Sequence, residues 1–210
     1  MFGRSLEEYL IIIPAVLIAL TIHEMCHGYA AYLLGDDTAK SQGRLSFNPI
    51  DHIDPIGLLC MIFFGFGWAK PVPVNLANLK NRKVGMSLVA LAGPLSNFVL
   101  AFVCLLIVFS MGAAGISGDV ATALVSFLVT LASLSVGLGV FNLLPVPPLD
   151  GSNIIYPFMP HSFRAFMYNN GYYIQFALLI LLYFGFLDMP LIFLRELVMN
   201  GMLRVLLLIF

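Results

Sequence analysis

YLIIIPAVLIALTIHEMCHGYAAYLLG, residues 9–35, is an apolar run that carries a histidine, a glutamate and a second histidine within five positions. About 20 consecutive apolar residues make a spanning helix, and Gly35-Asp36-Asp37 closes this run with a helix stop. The rest of the chain is of the same kind. Of its 210 residues, 60% are hydrophobic and 10% charged, with a mean hydropathy of +0.98, where a soluble domain carries about a quarter charged residues. The chain therefore reads as an all-α polytopic membrane protein in the lipid bilayer. A net charge of −1 gives no basic field for nucleic acid. Cys26, Cys60 and Cys104 are scattered through apolar segments without a CxxC pair, so they read as buried thiols and not as a disulfide framework. The opening MFGRSLEEYL, with one arginine before two glutamates, is a poor leader for a cleaved signal peptide.

Further apolar runs follow. Gly85 to Ala114 and Val120 to Leu144, joined by a tight GISGD turn, are expected spans, as is Tyr172 to Leu187. The tail PLIFLRELVMNGMLRVLLLIF, residues 190–210, is interrupted by Arg195, Glu196, Asn200 and Arg204 and reads as an interfacial helix or a further packed span. Pro55 to Ala69 holds Gly57, Gly65 and Gly67. At about 15 residues it is short for a span and suits a re-entrant segment. The expected fold is a bundle of about four to six transmembrane helices with a small membrane-associated β or re-entrant element, as one domain over residues 1–210. Its motif-bearing core covers about 9–157, with C-terminal helices over 172–210.

Loop charge orients the spans. Residues 70–83 hold Lys70, Lys80, Arg82 and Lys83 without an acid, and loop 35–54 adds Lys40 and Arg44. Positive loops stay in the cytoplasm, so both are expected there, with 55–69 entering and leaving on one side. Small residues mark expected helix contacts: Ser87, Ala90, Pro94, Asn97 and Ala101 on one helix, and Ser126, Thr130, Ser133 and Gly137 on the next.

Ionisable side chains at membrane depth are costly and mark function more often than packing. On a helix, positions i and i+4 share a face, so His23 and His27 can present two imidazoles to one point with Glu24 beside them. This is the HExxH arrangement, in which two histidines bind zinc and the glutamate handles a proton. A catalytic zinc usually has three protein ligands and an open position. Asp150, in NLLPVPPLDG (residues 142–151), is the strongest candidate for the third: prolines 145, 147 and 148 stop the preceding span and leave a carboxylate near membrane depth. Asn97 and Asn142 are candidates for the oxyanion or for substrate backbone, or for interhelical hydrogen bonds. His52, between Asp51 and Asp54, and His161 read as solvated loop residues.

HEMCH together with NLLPVPPLDG resembles the site-2 protease family of intramembrane zinc metalloproteases. The likeness continues in GRLSFNPIDHIDPIGLL (43–59), AKPVPVNLANLKN (69–81) and LAGPLSNF (91–98), which look like the compact prokaryotic members without a PDZ domain. The resemblance implies one Zn2+ per chain held by His23, His27 and Asp150, with Glu24 as catalytic acid/base. Gly93, Pro94 and Asn97 match its GPxxN motif, and Asn142 opens its NxxPxPxLDG motif. It also implies a β-structured element over about 38–75, a multi-pass location in a prokaryotic cell membrane, and a transmembrane protein as substrate, cut within or near its membrane segment. Two other classes compete. A metal transporter would not need a glutamate between two zinc histidines, and no inverted repeat is visible. An inactive relative that only binds membrane segments is opposed by the intact HExxH and LDG. Substrate identity and oligomeric state are not written in the sequence.

Overall fold

The structure is a computed structural model that describes residues 6–64 and 68–210. Arg4 of the opening segment and Gly65 and Gly67 of the short apolar run lie outside the described residues. The elements are α1 (Leu6–Leu33), α2 (Thr38–Ser41), α3 (Pro55–Phe64), α4 (Arg82–Ala113), α5 (Asp119–Asn142), α6 (Asp150–Ile155), α7 (His161–Asn169), α8 (Gly171–Tyr183) and α9 (Asp188–Ile209).

Among the described residues three helices, α1, α4 and α5, are long and apolar enough to cross a membrane. The α8–α9 pair, bent by 81°, makes a fourth if counted as one broken span. This is the lower end of the expected four to six. The expected span Tyr172–Leu187 ends early: α8 stops at Tyr183 and Gly185 turns the chain at φ +72°. Its 13 residues cover about 20 Å of a hydrocarbon layer about 30 Å thick. The run after Pro55 forms the ten-residue α3, which covers about half that thickness.

Among the described residues the β element shrinks to one antiparallel bridge, Ile53 to Ala69, beside a hydrogen bond from Lys70 N–H to the His52 carbonyl of 2.9 Å. Pro71 and Pro73 follow at once and have no N–H to extend a ladder. An extended strap over residues 68–75 is what remains.

The three long helices pack through small side chains. Ala15 and Ala19 of α1 meet Ala101, Cys104 and Leu105 of α4 and Leu128, Ala132 and Val136 of α5 in one buried cluster. The α4 stripe is as expected, with Ser87, Ala90, Pro94, Asn97 and Ala101 all buried. The α5 stripe is not. Ser126 is exposed, and the buried face runs instead through Leu128, Leu131, Ala132, Ser135, Val136 and Gly139. Here bulky apolar side chains fill the interface, and Ser133 meets Arg195 of α9.

The polar loops gather at one end of this bundle. Asp36, fully buried, accepts hydrogen bonds from the Thr38 hydroxyl (2.5 Å), Asn75 N–H (2.6 Å), Asn78 Nδ2 (2.9 Å) and Thr38 N–H (3.1 Å). Burial alone would push its carboxyl up, but these donors outweigh burial and hold it below its ordinary value. Arg44 is also buried; its guanidinium donates to the carbonyls of Lys70 (2.6 Å) and Pro71 (3.3 Å). Loop 35–54 and the strap are thus one polar cap over the ends of α1 and α4.

Candidate metal centre

The HEMCH segment lies in α1, with His23 ten residues before Leu33, about 15 Å down the axis. Both histidines are buried, and their rings meet edge to face at 4.6 Å between centroids. The two Nε2 atoms are 3.0 Å apart. Asp150 comes to them from α6, its Oδ2 lying 3.1 Å from His23 Nε2 and 3.2 Å from His27 Nε2. Residues 127 positions apart in sequence thus close one triangle of potential ligand atoms. Among the described residues it is the one such group.

The chain reaches that point because α5 is stopped sharply. Residues 143–149 turn through the prolines, with a cis bond between Pro147 and Pro148, and α6 begins at Asp150. Gly151 makes the return possible: a Cβ there would lie 2.2 Å from the Leu143 carbonyl oxygen and 2.4 Å from that of Leu144. The glycine of LDG is a close-approach residue that lets the carboxylate before it face α1.

The second wall is α4. His27 Nδ1 donates to the Val89 carbonyl at 2.7 Å; a carbonyl only accepts, so this nitrogen carries the hydrogen. A Cβ on Gly93 would sit 2.3 Å from His27 Nε2 and 2.8 Å from His23 Cε1, so both rings lie on bare backbone. Asn97, fully buried, places its amide 3.2 Å from His23 Nδ1. Positions 89, 93 and 97 are successive i+4 steps on one face of α4.

The donor set fits a zinc ion. Tetrahedral ligands at about 2.0–2.1 Å would stand about 3.3 Å apart, close to the observed triangle. Asp150 Oδ2 is buried without a hydrogen-bond partner. With His27 Nδ1 occupied, the lone pair of a neutral His27 faces that carboxylate, and a cation or a proton among the three atoms is what makes the arrangement favourable.

Glu24 is half-buried, and its Oε2 accepts the Val72 N–H of the strap at 3.2 Å. Gly28 lets the strap come this close: a Cβ there would be 2.8 Å from Leu45 Cδ2 and 3.2 Å from Val72 Cγ1. Asn142 is half-buried at the end of α5, and its Nδ2 donates to the Leu138 carbonyl at 3.0 Å.

His52 corrects an expectation. It is fully buried, not solvated, and its Nε2 donates to the Ser46 carbonyl at 2.8 Å, because loop and strap fold over each other around it. His161 is exposed as expected. Sequence reading missed Val89, whose carbonyl has no side-chain signature, and Asp36 and Arg44, which it took for a helix stop and a loop charge. Arg44 meets its carbonyl partners 26 and 27 residues away in sequence, so no local pattern announced the contact.

The chain is similar to proteins of known family. The profile of Peptidase family M50 matches residues 109–182. "Putative zinc metalloprotease YwhC" of Bacillus subtilis is 44% identical over 168 residues, covering 79% of this chain and 76% of that protein. "Putative zinc metalloprotease Rip2" of Mycolicibacterium smegmatis is 32% identical over 167 residues, 75% of this chain and 61% of that protein. The Rip2 of Mycobacterium tuberculosis is 29% identical over 163 residues, again with 61% of its length spanned. No solved structure matches the chain.

Proposed function

This chain belongs to peptidase family M50, and from that premise we propose that it is an intramembrane zinc endopeptidase cutting transmembrane segments of other proteins. The observation that carries the proposal is the triangle of His23, His27 and Asp150, with ligand atoms 3.0–3.2 Å apart, in which the helix that bears both histidines also bears Glu24. The names of the relatives favour zinc and a protease over metal transport. α4 and α5 are joined by residues 114–118 alone, which leaves no room there for an inserted domain.

In this proposal His23, His27 and Asp150 hold the zinc. When bound it supplies Lewis acidity and brings the pKa of a water to about 7. Glu24 takes a proton from the attacking water at its carboxylate and later returns it to the nitrogen of the leaving amine. Val72 N–H orients that carboxylate from the strap. Asn142, at the break between α5 and the LDG turn, is the candidate amide donor to the developing oxyanion. A substrate helix has its amides satisfied internally, so it must unwind before attack.

Loop 35–54 and residues 70–83 carry Lys40, Arg44, Lys70, Lys80, Arg82 and Lys83, which supports a cytoplasmic position for this end of the bundle by the positive-inside rule. A single cysteine at 78, in a chain without the native three, should react with an impermeant thiol reagent only after lysis; labelling in intact cells would reverse this orientation.

Activity is tested on purified protein with single-span substrates, with and without chelator. Glu24→Gln keeps the shape of the side chain but removes the proton acceptor. Cleavage should fall by at least about a hundredfold while zinc content stays. Wild-type protein that holds zinc yet cuts no substrate would favour a binding-only relative.

A further inference from the structure

We propose that Asn97 is the positioning residue for His23, accepting the His23 Nδ1–H through its amide oxygen, and that it does not contact substrate. This rests on the zinc reading above. It replaces the oxyanion role open to Asn97 from sequence alone, because the side chain is fully buried behind the histidine ring.

The two histidines are held differently. His27 leans on the Val89 carbonyl at 2.7 Å, which dictates Nδ1–H and leaves Nε2 with its lone pair. His23 leans on an amide, which can offer either an oxygen or an NH2 group. Its Nε2 is the atom turned to the triangle, 3.0 Å from His27 Nε2 and 3.1 Å from Asp150 Oδ2. If Nε2 ligates the metal, Nδ1 carries the hydrogen of the neutral ring and needs an acceptor. Asn97 is the side chain at hydrogen-bond distance from it, with Nδ2 at 3.2 Å.

Nitrogen and oxygen of an amide exchange places by a half-turn about the Cβ–Cγ bond. Asn97 Oδ1 is buried without a partner, so nothing at the far end holds the amide in its present sense. The turn exchanges one unmatched amide atom for the other, and the ring alone decides which end faces it. A metal on Nε2 selects the oxygen. His23 and His27 then become equivalent neutral ligands, each with Nδ1–H given to an oxygen on the same face of α4. Such partners raise ligand basicity and fix ring orientation, and their loss typically costs 10–100-fold in metal affinity.

The test is the zinc dissociation constant of the full chain in detergent, by competition with a chelator, for wild type, Asn97→Asp and Asn97→Leu. A carboxylate only accepts, so Asn97→Asp should keep affinity within about threefold, whereas Asn97→Leu should weaken it about 10–100-fold. Where Asn97→Leu does not fold, Asn97→Asp decides alone, since a ring nitrogen bearing a lone pair would be repelled by it. Loss of tenfold or more in folded Asn97→Asp, or wild-type affinity in Asn97→Leu, overturns the proposal. A wild-type chain that takes up no zinc overturns the metal reading itself, and is distinguishable because no variant is needed to see it. A 15N spectrum of ring-labelled histidine in the zinc-loaded chain should show Nδ1 of His23 protonated. An unprotonated Nδ1 there overturns the proposal on its own.

Discussion

Two parts of this chain put ionisable residues into apolar sequence, and the fold treats them in opposite ways. On α1, His23 and His27 are buried and converge with Asp150 on one point, backed by Val89, Gly93 and Asn97 of α4. On α9, Arg195, Glu196, Asn200 and Arg204 are all exposed. Three of them line an open surface hollow together with Ile192 and Met199 of the same helix. The difference is made by neighbours. α1 is pressed against α4 through small residues, Ala15 and Ala19 in one cluster with Ala101 and the two histidine rings on Gly93, so its polar side chains can be met from other helices. α9 lies along α5 with Leu206 buried, and Arg195 reaches Ser133, but no second helix supplies ligands. A polar residue in an apolar run becomes a site only where separate elements converge on it.

The sharpest way to break this comparison is to remove the convergent residue. Asp150→Ala should reduce bound zinc from about one per chain to a small fraction, measured by metal analysis of the purified protein. Full retention would take Asp150 out of the ligand set and leave the two halves of the bundle unlinked by chemistry.

Gly93→Ala should come next. The new methyl would lie 2.3 Å from His27 Nε2 and 2.8 Å from His23 Cε1, so one ring must move. Zinc affinity should fall by about tenfold or more, in the range seen when ligand orientation is disturbed. Unchanged affinity would mean that α4 does not set the ring positions.

Arg44→Ala should have a smaller effect of a different kind. It frees the Lys70 and Pro71 carbonyls, and with them the Val72 N–H that holds Glu24. Cleavage should drop about tenfold through misplacement of Glu24, the proposed proton carrier, with zinc content unchanged. Zinc loss in this variant would place the strap under the metal and not only over Glu24.

The smallest change is expected from Glu196→Gln combined with Arg204→Gln. Both side chains are exposed, and exposed substitutions away from buried networks shift stability by about 0.5 kcal/mol or less. Zinc content and cleavage should stay within about twofold of wild type, measured side by side. A large loss would make α9 part of the catalytic machinery and remove the contrast.

Much of the candidate site was legible because the chemistry proposed for it is written in side-chain types at fixed spacing. HExxH sets two imidazoles on one helical face, and LDG after a run of prolines announces a carboxylate at a broken chain end. The packing face of α4 was legible for the same reason, as small residues recur there at helical spacing. The face of α5 was not: its small residues Ser126 and Gly137 sit off the interface, and bulky Leu128, Leu131 and Val136 fill it. Size alone names a face only when the neighbour must come close.

By itself the sequence determined that this chain lives in a bilayer, that α1, α4 and α5 are long enough to cross it, and that His23, His27 and Glu24 share one helix. These follow from hydropathy and from the 3.6-residue period, which are local properties. Only the tertiary structure decided that Asp150 closes the triangle, that Val89 and Asn97 stand behind the rings, and that Arg44 and Asp36 are buried under the strap. Among the described residues it also reduced the expected β element to one bridge and shortened α8. Those outcomes depend on which groups far apart in the chain come within hydrogen-bond distance, and on backbone carbonyls and amides that every residue carries and no motif records.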